Sequence, residues 1–105
     1  PTINHPAETA FARQVMEALV GADQVLPQEP TMGSEDFSYM LQARPGAYFF
    51  IANGNGSHRA AYEGIGHDSG PCLLHNPHYD FNDQLIPLGA SLWVRLVEQW
   101  LGAGK

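Results

Sequence analysis

From Pro87 to Gly102 the chain spells a helix with almost no face that water would accept, and this stretch limits what the molecule can become. Proline suits the first helical turn and glycine a helix end, so the segment 87–102 predicts about four turns. Leu88, Leu92, Trp93, Val94, Leu96, Val97, Trp100 and Leu101 cover nearly its whole circumference, leaving Ser91, Arg95 and Glu98 as its polar stripe. A helix apolar almost all round has to be buried on most sides. The remaining sequence must supply the covering layers.

It supplies few. Pro6 opens a second helical pattern, in which Phe11, Val15 and Leu19 recur every four residues with Ala12 and Met16 beside them, and Gly21 offers the stop. This predicts an amphipathic helix over 6–20, with His5 as part of its cap. Residues 24–28, with Pro27 and Pro30 as bounds, amount at most to a short edge strand or an extended connection. Ser34 is a suitable N-cap, and Glu35 and Asp36 put negative charge where the helix dipole favours it, which predicts a short helix over 35–42. After the turn at Arg44-Pro45-Gly46, the run Ala47-Tyr48-Phe49-Phe50-Ile51-Ala52 is continuously apolar rather than alternating. That pattern predicts a strand over 47–52 covered on both faces, an α/β signature. Asn53 to Gly56 ends it, and residues 53–84 carry turn formers without periodicity, a long loop of the kind that serves a site. One strand is not a sheet, and no internal repeat provides more. The sequence therefore reads as part of something larger.

Charge narrows the possible partners. Eleven acidic residues against five basic ones give a formal net charge of −6, and the basic residues are scattered, which argues against nucleic acid. The single cysteine, Cys72, cannot form an internal disulfide. No apolar run approaches the span of a bilayer and no leader pattern is visible, so a soluble, cytoplasmic protein is the simplest expectation.

Chemistry concentrates in Leu74-His75-Asn76-Pro77-His78-Tyr79-Asp80-Phe81-Asn82-Asp83. Imidazole nitrogen and carboxylate oxygen make His75, His78, Asp80 and Asp83 competent ligands for zinc or a similar ion. On spacing alone they read equally as hydrogen-bonding loop residues, with Asp83 capping the turn before the last helix. Gly33-Ser34-Glu35-Asp36-Phe37 is the second candidate. Free amides after a glycine can hold a carboxylate, and an acidic side chain there can orient a metal-bound histidine, although a plain cap explains the same residues. Cys72 reads as a small buried thiol, and His58 and His67 as solvated loop residues.

Taken in order, Pro1-Thr2-Ile3-Asn4, Met32-Gly33-Ser34-Glu35-Asp36-Phe37, Pro45-Gly46-Ala47-Tyr48-Phe49, Leu74-His75-Asn76-Pro77 and Tyr79-Asp80-Phe81-Asn82-Asp83 make the sequence recognisable. It resembles the metal-dependent amidohydrolases of the hippurate hydrolase type, within the wider metallopeptidase family of aminoacylases and glutamate carboxypeptidases. The resemblance covers essentially the whole chain. It implies an α/β zinc-exopeptidase-like catalytic domain interrupted by a lid or dimerisation domain. Residues 1–105 would be the C-terminal segment of that domain, starting at the junction after the insert, with most of the central sheet absent.

The resemblance also implies roles. His75 matches the last protein ligand of a centre of two divalent ions such as zinc, manganese or nickel. Gly33, Ser34 and Glu35 match a segment close to the substrate, and Asp36, Asn76, Asp80 and Asp83 would orient ligands or loop. The family's upstream Cys-Gly-His-Asp motif and Glu-Glu pair do not occur here. Catalytic zinc needs about three protein ligands, so the expectation is that the isolated chain has no catalytic residue, holds no metal and hydrolyses nothing. The complete enzyme would take an N-acyl amino acid as its small-molecule substrate. The rival expectation is a free-standing, non-catalytic module that associates with itself or with the remainder of the enzyme.

Overall fold

The computed structural model describes residues 1–54, 74, 75, 77 and 79–102. They belong to two compact units, one of Pro1–Phe50 with Ser91–Lys105 and one of Ile51–Ala90. Among the described residues, three α-helices account for the regular structure: α1 over Pro6–Val20, α2 over Phe37–Ala43 and α3 over Ile86–Trp100. Single 3-10 turns at Ala22–Gln24 and Asp83–Leu85 follow α1 and precede α3.

The expected helix 6–20 has the bounds of α1. Pro6 stands at its start, and Gly21 ends it at φ 92, donating its N–H to the Glu17 carbonyl at 2.8 Å. Only glycine reaches that conformation without strain. Ala12 and Val15, three positions apart on one face, are buried, while Arg13 and Glu17 pair at 2.8 Å on the exposed side. α2 begins two residues later than the 35–42 expectation, because Glu35 and Asp36 form a tighter lead-in turn whose carbonyls accept from Ser38 and Tyr39. Ser34 is exposed and does not cap it. α2 stops at Arg44, just before Pro45, as steric restriction ahead of a proline requires. α3 starts one residue before the expected 87 and ends two before 102.

The strand expected over 47–52 is not formed. Among the described residues there is no β-strand, so the structure holds the helices of the expected α/β arrangement and none of its sheet. A strand is defined by a partner backbone, and here the partner bonds come largely from side chains. The His5 N–H donates to the Gly46 carbonyl at 3.0 Å, the Gly46 N–H donates to His5 Nδ1 at 3.1 Å, and the Asn4 amide takes both polar groups of Tyr48, accepting its N–H at 2.7 Å and donating to its carbonyl at 2.9 Å. The backbone polar groups of Gly46 and Tyr48 are thus satisfied without a ladder. A Cβ at Gly46 would meet Leu41 Cδ2 at 3.2 Å, a tight contact that the leucine side chain would have to relieve. His5 caps α1 by position only, because its ring is engaged with Gly46 instead of the helix.

Among the described residues the buried apolar set is small: Ala12, Val15, Leu41 and Leu92. Phe11 meets Trp100 edge to face at a centroid distance of 5.2 Å, and Phe49 lies 6.5 Å from Trp93. Yet Trp93 is 65% exposed and Trp100 63%, with Val94, Val97 and Leu101 exposed beside them. An open groove of about 320 Å³ between Phe11 and the α3 residues Trp93, Leu96, Val97, Trp100 and Leu101 has purely apolar walls. The burial that the sequence of α3 requires is not provided by the described residues. No helix among them is long and apolar enough to cross a membrane.

Candidate functional site

In the first unit, the candidate residues gather on the approach to α2. Gly33 and Ser34 are exposed, Glu35 is half-buried, and Asp36 occupies the N-cap position without a side-chain cap bond. The cap is supplied from one residue earlier: Glu35 Oε1 accepts the Phe37 N–H at 3.0 Å. The other oxygen, Oε2, accepts the Tyr48 hydroxyl at 2.8 Å. Both bonds favour the charged carboxylate. The Phe37 amide, then the Tyr48 hydroxyl and a hydrogen bond to Asp36, hold the Glu35 carboxyl below its ordinary value against a small opposing effect of burial. Reciprocally, the bond to Glu35, with burial and the negative charges of Glu35 and Asp36 behind it, raises the Tyr48 phenol above its own.

Tyr48 is itself fixed. Its ring lies 5.6 Å from Phe37 and 5.4 Å edge to face from Phe50, and its backbone is clamped by Asn4. Three segments separated in sequence thereby converge on one carboxylate.

In the second unit, His75 sits on an exposed turn with φ 71, the one described non-glycine residue with positive φ. An L-residue in that region bears about 1–2 kcal/mol of strain, although histidine is among the types that visit it more often. Asp80 is half-buried, and its carbonyl accepts from Asn53 Nδ2 at 2.8 Å. Asn53 Oδ1 in turn accepts the Asn82 N–H at 2.8 Å, so one amide side chain grips the segment Asp80–Asn82 from both sides. Tyr79 and Phe81 stack edge to face at 4.8 Å beside it. The cap before α3 is Asn82, which accepts the Gln84 N–H at 3.1 Å, rather than Asp83, which is exposed at the first position of the 3-10 turn. Asn76, His78, His58, His67 and Cys72 lie outside the described residues.

Among the described residues no group of three histidine, cysteine, aspartate or glutamate side chains is placed to hold a metal ion. His75 offers one exposed imidazole.

Reading the sequence alone misses Tyr48, Asn4, His5, Asn53 and Asn82 as contributors. Tyr48 reads there as strand core and Asn53 as a turn former. Asn4, Tyr48 and Asn82 nonetheless stand inside the motifs that carry the family resemblance, and that was the available signal.

Comparison with known proteins gives this geometry its setting. The model of peptidase family M20/M25/M40 matches residues 1–99, and the chain belongs to that family. Among curated relatives, it is 32% identical over 101 residues to the IAA-amino acid hydrolase ILR1-like 4 of Arabidopsis thaliana, covering 96% of this chain and 21% of that protein. It is 30% identical over 101 residues to the hippurate hydrolase of Campylobacter jejuni, covering 95% and 22%. It is 32% identical over 89 residues to thermostable carboxypeptidase 1 of Saccharolobus solfataricus, covering 85% and 19%. The chain thus spans about a fifth of the length of the curated relatives it matches. No solved structure gives a significant match.

Proposed function

We propose that this sequence is the C-terminal segment of the catalytic domain of a metal-dependent hydrolase that cleaves the amide bond of N-acyl amino acids or short peptides. The observation that carries the reading is the family match over residues 1–99, supported by relatives named for hydrolysing IAA-amino acids and hippurate. His75 supplies one ligand to a divalent metal centre, such as zinc, manganese or nickel, and the other ligands and the general base come from sequence outside these 105 residues. When bound, the metal contributes Lewis-acid polarisation of the scissile carbonyl. Gly33, Ser34 and Glu35 hold the substrate, the exposed backbone at Gly33 and Ser34 being open to its carboxylate. Asp36, Asn76, Asp80 and Asp83 orient the two segments. The 105 residues alone carry no catalytic residue and hold no metal.

The test is substitution of His75 in the full-length hydrolase that carries this sequence. His75→Ala is expected to abolish metal-dependent hydrolysis of N-benzoylglycine and related N-acyl amino acids. His75→Gly is the cleaner partner variant, because glycine tolerates φ 71 and removes the ligand without adding strain. Near-normal turnover in His75→Gly would refute the ligand assignment.

A second reading is favoured by the exposed apolar face of α3: a non-catalytic module that associates with itself or with another part of a hydrolase. Calorimetric titration of the 105-residue chain with Zn²⁺ is expected to show no tight stoichiometric site under either reading. A micromolar 1:1 isotherm would instead mean that the chain completes a metal centre by itself.

A further inference from the structure

The Asn4–Tyr48–Glu35 chain of hydrogen bonds reaches further than a local cap requires. Oε1 of Glu35 already satisfies the orphan Phe37 amide, so the fold of α2 does not need the second oxygen. That oxygen is nevertheless held at 2.8 Å by a phenol from a segment thirteen residues away. The phenol is aimed on two levels: its ring is packed between Phe37 and Phe50, and its backbone is gripped at both polar groups by the Asn4 side chain, forty-four residues away in sequence. A carboxylate held through both oxygens is restrained about its last torsion. Its neighbours Gly33 and Ser34 are exposed and lead directly into it.

We propose that Tyr48 is a positioning residue, which locks the Glu35 carboxylate and with it the backbone of Gly33 to Glu35 in the orientation that receives substrate. This rests on the reading of Gly33–Glu35 as a substrate-holding segment. Tyr48 does its work through Glu35, without itself touching the substrate. The chemistry is that of preorganisation: a binding segment already fixed loses less conformational freedom when the ligand arrives.

Kinetics of the full-length hydrolase with N-benzoyl- and N-acetyl-amino acids test it. Tyr48→Phe keeps the ring that packs against Phe37 and Phe50 and deletes only the donor. It is expected to raise KM about fivefold, the effect of a typical net hydrogen bond, while kcat stays within about twofold. In a Glu35→Ala background the same substitution is expected to change nothing more, because its route to the substrate is gone. Circular dichroism of each variant confirms that α2 and its surroundings remain folded. An unchanged KM in Tyr48→Phe, or an equal KM increase with and without Glu35, overturns the proposal. A wild-type enzyme that turns over none of these substrates overturns the functional reading itself, and the substrate role of Tyr48 falls with it.

Discussion

At the scale of single residues, the Glu35–Tyr48 pair makes a pH-dependent contribution whose signs can be worked out. The Glu35 carboxyl is lowered in the folded chain, so its contribution is present above the ordinary carboxylate value and is lost as pH falls through the lowered one. The Tyr48 phenol is raised, so its contribution is complete below the ordinary tyrosine value and is lost as pH rises through the raised one. Between those limits the pair is intact. Tyr48→Phe is expected to remove the alkaline loss entirely and to weaken the acid one, leaving the Phe37 amide and the hydrogen bonds to Asp36 to hold the Glu35 carboxyl low. Thermal unfolding of the chain across pH checks this, together with ultraviolet titration of wild type against the variant. The difference spectrum should show a tyrosine ionising later than a free phenol. The sequence could not give this pair, because Tyr48 in an apolar run looks like strand core. Only folding shows that its hydroxyl faces a carboxylate.

At the scale of elements, legibility followed periodicity and capping. α1 was readable to the residue because apolar spacing, Pro6 and Gly21 all agree, and consistency of that kind is what specifies a helix. Its end gives a test. Gly21→Ala forces a Cβ into φ 92, where it would lie 2.8 Å from Asp23 Oδ1, and about 1 kcal/mol of stability should be lost in denaturant unfolding. Val15→Ala, at 2% exposure on the buried face, should cost about 2 kcal/mol in the same assay, whereas Val97→Ala on the exposed face of α3 should be close to neutral. The run 47–52 was misread for the opposite reason. Aromatic and β-branched content gives a preference for pairing but cannot provide the partner, and the polar groups of Gly46 and Tyr48 were taken by His5 and Asn4. The segment around His75 was legible by its residue types and not by its structure. His75 could be named from its motif, while the Asn53 amide that grips Asp80–Asn82 sits more than twenty residues away and has no local signature.

At the scale of the whole molecule, the apolar surface of α3 is the fact that any biological form of this chain must answer. Fully burying a large apolar side chain is worth about 1.5–3 kcal/mol, and Trp93, Val97, Trp100 and Leu101 all stand largely in water. Surface of this kind on a small domain marks a place where more protein belongs. The described core of four small or aliphatic residues leaves no surplus of stability with which to tolerate that exposure. The 105-residue chain alone is therefore expected to associate with itself as concentration rises, seen as a growing mass by light scattering coupled to size exclusion. Replacing Trp93 and Trp100 together by lysine should return it to a monomer, with the loss of the edge-to-face contact between Trp100 and Phe11 of α1. In a longer protein that carries this sequence and covers the face from within, the same double substitution should instead lower the thermal midpoint. A chain that stays monomeric at high concentration with both tryptophans intact would show that α3 is covered by some other part of the same 105 residues, and would remove the physical case for a missing partner.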